Sequence, residues 1–239
     1  TRAASPAVNA DVGASTEVED TRYMRMALDE ASTAASKNEV PVGAVLVHTT
    51  SGKILASHHN TVLAQDDPTA HAEMKCVRDG AAALGGWRHL RDTTLYVTLE
   101  PCPMCAGAVL NARLGAVVWG APNPLIGADG SWIALMGDGG DGLRPCDGGS
   151  IDETYDASMR DGSSSIDDET DTAAGIGSVE PACALIDPKG ATKPHAFKPG
   201  LEVRRRVLET ECADLMKAFF RRRREENKET KRREEGSGD

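Results

Sequence analysis

With 239 residues and 40% hydrophobic content, the chain has enough apolar material for one large domain or two small ones, and no apolar run approaches the roughly 18 residues that a membrane span needs. Its six cysteines, at positions 76, 102, 105, 146, 183 and 212, are too scattered for a disulfide scaffold. The net charge of −10 is uneven: residues 1–136 carry 10 basic and 14 acidic groups, 137–190 carry 3 and 13, and 191–239 carry 14 and 10, so one segment holds the acidity and the tail is basic.

Residues 1–16 are small and polar without apolar period and read as a disordered lead-in. From about Glu17 to Lys37, Tyr23, Met24, Ala27, Ala31 and Ala34 recur at spacings of three and four, the mark of an amphipathic helix that Pro41 ends. VPVGAVLVH (40–48) and KILASHH (53–59) are β-prone runs joined by TTSG, a hairpin signal. AHAEMKCVRDGAAAL is helix-prone after Pro68, with Thr69 as its expected cap. DTTLYVTLE (92–100) reads as a buried strand, PCPMCAGAVLNAR as a helix opened by prolines, and LGAVVWGA (114–121) as another strand. Strands alternating with helices imply a layered α/β sheet. Residues 137–192 are rich in Gly, Asp and Ser and read as a disordered acidic insertion, which makes 17–136 and 193–235 a single domain. A final helix begins near Leu208, with Cys212, Leu215, Met216 and Phe219 along one face.

Cys102 and Cys105 stand i, i+3 at a predicted helix start, so both sulfurs share a face near backbone N–H groups that favour thiolates. His71, at the start of another predicted helix, is the candidate third ligand of a zinc ion, whose catalytic sites use three protein ligands and leave a fourth position for water. Glu73 is two residues on, about 200° round a regular helix, so it is a poor co-ligand and a better proton carrier for water activated by the metal. A structural zinc would need a fourth protein ligand. A redox C-x-x-C would need neither His71 nor Glu73.

The His-Ala-Glu and Pro-Cys-Pro-Met-Cys pair resembles the signature of the zinc-dependent nucleobase deaminases. The runs EVPVGAVLVH, DPTAHAEM, TLYVTLEPCPMCAGA and ECADLMKAFFRRRREE extend the resemblance to the bacterial-type tRNA adenosine deaminases, over about residues 18–136 and 195–230. These enzymes convert the wobble adenosine of an arginine tRNA anticodon to inosine. The resemblance implies a cytidine-deaminase-like three-layer α/β/α fold with a five-stranded mixed sheet, a homodimer and one Zn2+ per subunit. It implies that His71, Cys102 and Cys105 bind zinc, that Glu73 is the general acid/base, and that Asn60 holds the target nucleotide. By the same resemblance the backbone around Ala72 and Pro101 lines the base pocket, and Val42 packs against the base. Asn123 departs from the family, many of whose bacterial members carry an acid there; an amide still reaches a ribose hydroxyl, with less strict discrimination of RNA from DNA.

The implied partner is a tRNA anticodon loop, with no membrane. The basic runs at 204–206, 221–224 and 231–233 read either as solvated helix faces or as RNA contacts. A deaminase of free bases or nucleosides, guanine or cytidine type, is the alternative within the same chemistry, and a non-catalytic RNA-binding subunit is the alternative outside it. A bacterial-type domain with a low-complexity insertion and no initiator methionine leads to the expectation of a chloroplast enzyme lacking its transit peptide, with a bacterial cytoplasm as the alternative.

Overall fold

The structure is a computed structural model and describes residues 10–136 and 200–236; the acidic segment expected to be an insertion lies outside the described residues. In chain order the elements are α1 (Ala10–Ser36), β1 (Gly43–His48), β2 (Ile54–His59), α2 (Val62–Gln65), α3 (Ala72–Ala83), a 3-10 turn (Trp87–Asp92), β3 (Thr93–Leu99), α4 (Pro103–Ala112), β4 (Ala116–Ala121), β5 (Glu202–Arg204) and α5 (Glu209–Gly236). No described helix is long and apolar enough to cross a membrane.

The five strands form one mixed sheet in the order β2-β1-β3-β4-β5. β1 is antiparallel to both β2 and β3, whereas β3, β4 and β5 run parallel. Alternation along the strands sends side chains to opposite faces. Ala44 and Leu46 of β1, Leu95 and Val97 of β3, and Val117 and Trp119 of β4 join Ala72 and Cys76 of α3 and Val109 and Ala112 of α4 in one core. Val45, Val47, Tyr96 and Val118 face the other way, onto Tyr23, Met24 and Ala27 of α1 and Cys212 of α5. The result is a three-layer α/β/α arrangement around a five-stranded mixed sheet.

The apolar stripe expected on α1 is buried at all five positions, Tyr23, Met24, Ala27, Ala31 and Ala34. Its small residues let helix and sheet approach closely: a Cβ on Gly43 would collide with the Ala27 carbonyl oxygen, so no other residue fits there without moving α1. α1 starts at Ala10, before the expected start near Glu17, and residues 1–9 of the expected lead-in lie outside the described residues. Once the docked part is nucleated, each added turn costs little. The cap of α3 is a second correction. Thr69 instead bonds Asp67 through both its amide and its hydroxyl, and the N-cap position falls to His71.

β5 and α2 are absent from the sequence-based expectations. Three residues at β5 pair with Ala116, Val117 and Val118 of β4, a contact between segments more than 80 positions apart that no local pattern announces.

Candidate active site

Strand direction places the site. β2, β3 and β4 all run the same way and β1 runs against them, so the segments following the first three and the one preceding β1 gather at one edge of the sheet. That is where ligands bind in open α/β sheets. A cavity of about 290 Å³ opens there. Its walls come from Glu39, Val40 and Val42 before β1, Asn60, Val62 and Leu63 after β2, Leu99, Glu100 and Cys102 after β3, and Asn123 and Ile126 after β4, with His71 and Glu73 at the start of α3. The volume is near the lower end of the roughly 300–1,000 Å³ usual for small-molecule sites, a space for one base rather than an extended ligand.

His71 and Cys102 are the N-cap residues of α3 and α4, both in extended conformation, and neither side chain bonds its own helix end. They point instead at each other. His71 Nδ1 is 3.4 Å from Cys105 Sγ and 3.7 Å from Cys102 Sγ, and the three potential ligand atoms all lie within 4.8 Å of one another. Tetrahedral zinc with ordinary Zn–S and Zn–N bonds separates an imidazole nitrogen from a thiolate by about 3.6 Å, so these residues fit the ion. His71 sits outside the regular helix, so the 200° separation expected between it and Glu73 does not apply. Glu73 occupies the first turn of α3 and lines the same cavity.

The electrostatics agree with that fit. A hydrogen bond from the Cys105 thiol, outweighing the effect of burial and assisted by His71, pulls the Cys102 thiol down to about 4. Cys105, which donates that bond and is buried, is pushed far up. The bond to Cys102 also raises His71, against the effect of burial. Glu73 is 4% exposed, its burial raises its pKa, and its Oε2 atom has no hydrogen-bond partner among the described residues. An unsatisfied buried polar atom costs about 1–3 kcal/mol, more for a charged group, so the position is poor for stability and suited to chemistry.

Cys102 provides a direct check. In protein stripped of metal by a chelator, iodoacetamide is expected to modify Cys102 at an unchanged rate from pH 8 down to about pH 5, because a thiol near 4 stays ionised over that whole window. The buried Cys76, pushed up by burial, should remain unmodified, and added zinc should protect Cys102. Peptide mapping that finds Cys102 labelled only above pH 8 would contradict the assignment.

Asn60 directs Oδ1 at the Ala72 amide, which donates to it at 2.9 Å, so this side chain tethers the start of α3 while lining the cavity. Val42 lines the cavity and also belongs to the core. Asn123 lines it too, but its Oδ1 accepts a long 3.4 Å bond from the Ile126 amide. Ala72 and Pro101 each sit between two residues of the cavity wall, Ala72 between His71 and Glu73 and Pro101 between Glu100 and Cys102. The Ala72 amide is taken by Asn60 and its methyl sits in the core, while the Pro101 carbonyl accepts the Ala128 amide.

Two buried carboxylates of the cavity wall escaped the sequence reading. Glu39 accepts the amides of Leu63 and Ala64, and Glu100 accepts those of Asn123, Asp129 and Ser131 together with the Ser131 hydroxyl. A Cβ on Gly127 would run into the Glu100 carboxylate, so the loop closes over that group only with glycine there. The basic run at 204–206 is committed to structure: Arg204 pairs with Asp20 and Glu202, Arg205 with Asp129, and Arg206 with Glu209. Arg222 donates to the Ala35 carbonyl and Asn38 Oδ1 at the end of α1, which ties α5 to that helix.

Sheet, cavity and metal-ligand cluster together make a site that fits a zinc ion beside a space for one base. Residues 17–121 match the family model for the cytidine and deoxycytidylate deaminase zinc-binding region. The chain is 48% identical over 118 residues to a tRNA-specific adenosine deaminase of Bacillus subtilis, covering 49% of this chain and 71% of that one. It is 47% identical over 204 residues to a chloroplastic tRNA(adenine(34)) deaminase of Arabidopsis thaliana, covering 85% of this chain but spanning only 12% of that relative's length. A solved guanine deaminase of Nitrosomonas europaea, 17% identical with a TM-score of 0.53 over 83% of each chain, shares the fold. The chain belongs to the tRNA-specific adenosine deaminase family.

Proposed function

We propose that the chain converts the wobble adenosine of tRNA, that of an arginine tRNA first, to inosine by hydrolytic deamination. The observation that carries this reading is the convergence of His71, Cys102 and the buried Glu73 on one base-sized cavity, with Cys105 completing the ligand cluster, in a member of this family. His71, Cys102 and Cys105 would hold the zinc, which when bound would supply a Lewis acid that makes water nucleophilic near neutral pH. Glu73 would carry a proton from the attacking water to the amine leaving C6 of the purine; the burial that raises its pKa makes it the stronger base. Asn60 and Val42 orient the base, and Asn123 faces the ribose. A base in an anticodon loop is already unpaired, so moving it into a closed cavity costs little.

The protein works as a homodimer in the chloroplast, a location supported by its similarity to the chloroplastic relative. Purified protein incubated with an anticodon stem-loop, total tRNA, and free adenosine, cytidine or guanine is expected to form inosine in the stem-loop and at position 34 of tRNA. Turnover of a free base or nucleoside with the stem-loop untouched would replace this reading by the nucleoside-deaminase alternative.

A further inference from the structure

α2 is a single four-residue turn without a buried residue, and its N-cap, Thr61, makes no side-chain capping bond. Nothing within such a segment holds it, since one turn is far below the length at which a helix is stable alone. Yet Val62 and Leu63 form part of the cavity wall, and Leu63 is 63% exposed at its rim. The missing cap comes from a distance. Glu39, in the turn between α1 and β1 and only 1% exposed, receives the Leu63 amide at 3.1 Å on Oε2 and the Ala64 amide at 2.7 Å on Oε1. Both carboxylate oxygens are committed to two of the amides that a helix's first turn leaves unsatisfied. The Glu39 amide is itself held by the Ala34 carbonyl, so the carboxylate is anchored to the end of α1, which packs on the sheet.

We propose that Glu39 is a positioning residue that fixes the α2 lip of the cavity and thereby sets the affinity for the nucleotide segment lying across Leu63. This rests on the reading of the chain as an RNA deaminase. Glu39 acts through α2 and makes no chemistry of its own. The lip on the opposite side, residues 123–131, has its own carboxylate in Glu100, so each wall of the mouth is set separately.

Glu39→Gln tests the clamp with almost no change of shape, because an amide accepts one of the two N–H groups and turns its own NH2 toward the other. Steady-state deamination of an anticodon stem-loop by E39Q is expected to show KM raised about three- to tenfold with kcat within about twofold, the mark of lost uniform binding. Leu63→Ala, on the exposed rim, should raise KM by a similar factor. The double variant should be no worse than the poorer single one, since both act through the same turn. Hydrogen exchange should show the Leu63 and Ala64 amides losing protection in E39Q while β1, β3 and β4 keep theirs. An unchanged KM, a fall confined to kcat, additive effects in the double variant, or unaltered exchange at residues 63 and 64 would each overturn the proposal. If the unsubstituted protein makes no inosine in the stem-loop, the functional reading and the affinity role fall together, and exchange alone then decides whether Glu39 is the clamp.

Discussion

Glu73→Ala is expected to lower inosine formation by about 10²- to 10⁴-fold while zinc content stays at the parent level, the range usual for loss of a general acid/base. The carboxylate lines the cavity beside the ligand cluster but belongs to no ligand triplet, which separates its loss from loss of metal. The variant should unfold at the same temperature as the parent or a higher one, because the substitution removes a buried carboxylate whose Oε2 has no partner among the described residues. Single-turnover rates, metal analysis and a thermal melt on one preparation decide the matter. A variant that makes inosine at the parent rate takes Glu73 out of the mechanism. One that loses zinc as well assigns it to the metal.

Cys105→Ser should have the opposite signature. The side chain is fully buried and serine is slightly smaller, so the fold should survive; a hydroxyl neither ionises near neutral pH nor matches zinc as a thiolate does. Zinc affinity should fall by more than about 100-fold, beyond the loss typical of outer-shell substitutions, and activity should fall to background with it. In a chelator titration the parent should hold its zinc at concentrations that strip the variant. Full zinc occupancy and activity in Cys105→Ser would exclude Cys105 as a ligand.

Much of this architecture can be read from local pattern. The stripe Tyr23 to Ala34 is periodic because a helix docked on a sheet must bury one face, and β1, β3 and β4 are near-continuous apolar runs because helices cover both of their faces. Cys102 and Cys105 are close in sequence, so their proximity follows from the short spacing, with Cys102 as the N-cap and Cys105 in the first turn of α4. The misses arise where a partner is distant. Thr69 has the chemistry of a cap, yet Asp67 two positions earlier takes both its donors, and His71 becomes the cap residue. The arginines at 204–206 look like a nucleic-acid patch in sequence, but Asp20 and Asp129, which claim two of them, are 184 and 76 positions away.

The sequence by itself determined the metal chemistry and the family, because residue types and short spacings are properties of the chain: an imidazole, two sulfurs three apart, and a carboxylate two beyond the imidazole. Only the tertiary structure decided that these groups meet. The parallel course of β2, β3 and β4 brings two helix starts to one edge of the sheet, and buried Glu39 and Glu100 hold the walls around them. Such pairings bind backbone amides that any residue type supplies, so the distant partner leaves no mark in the sequence at the point of contact.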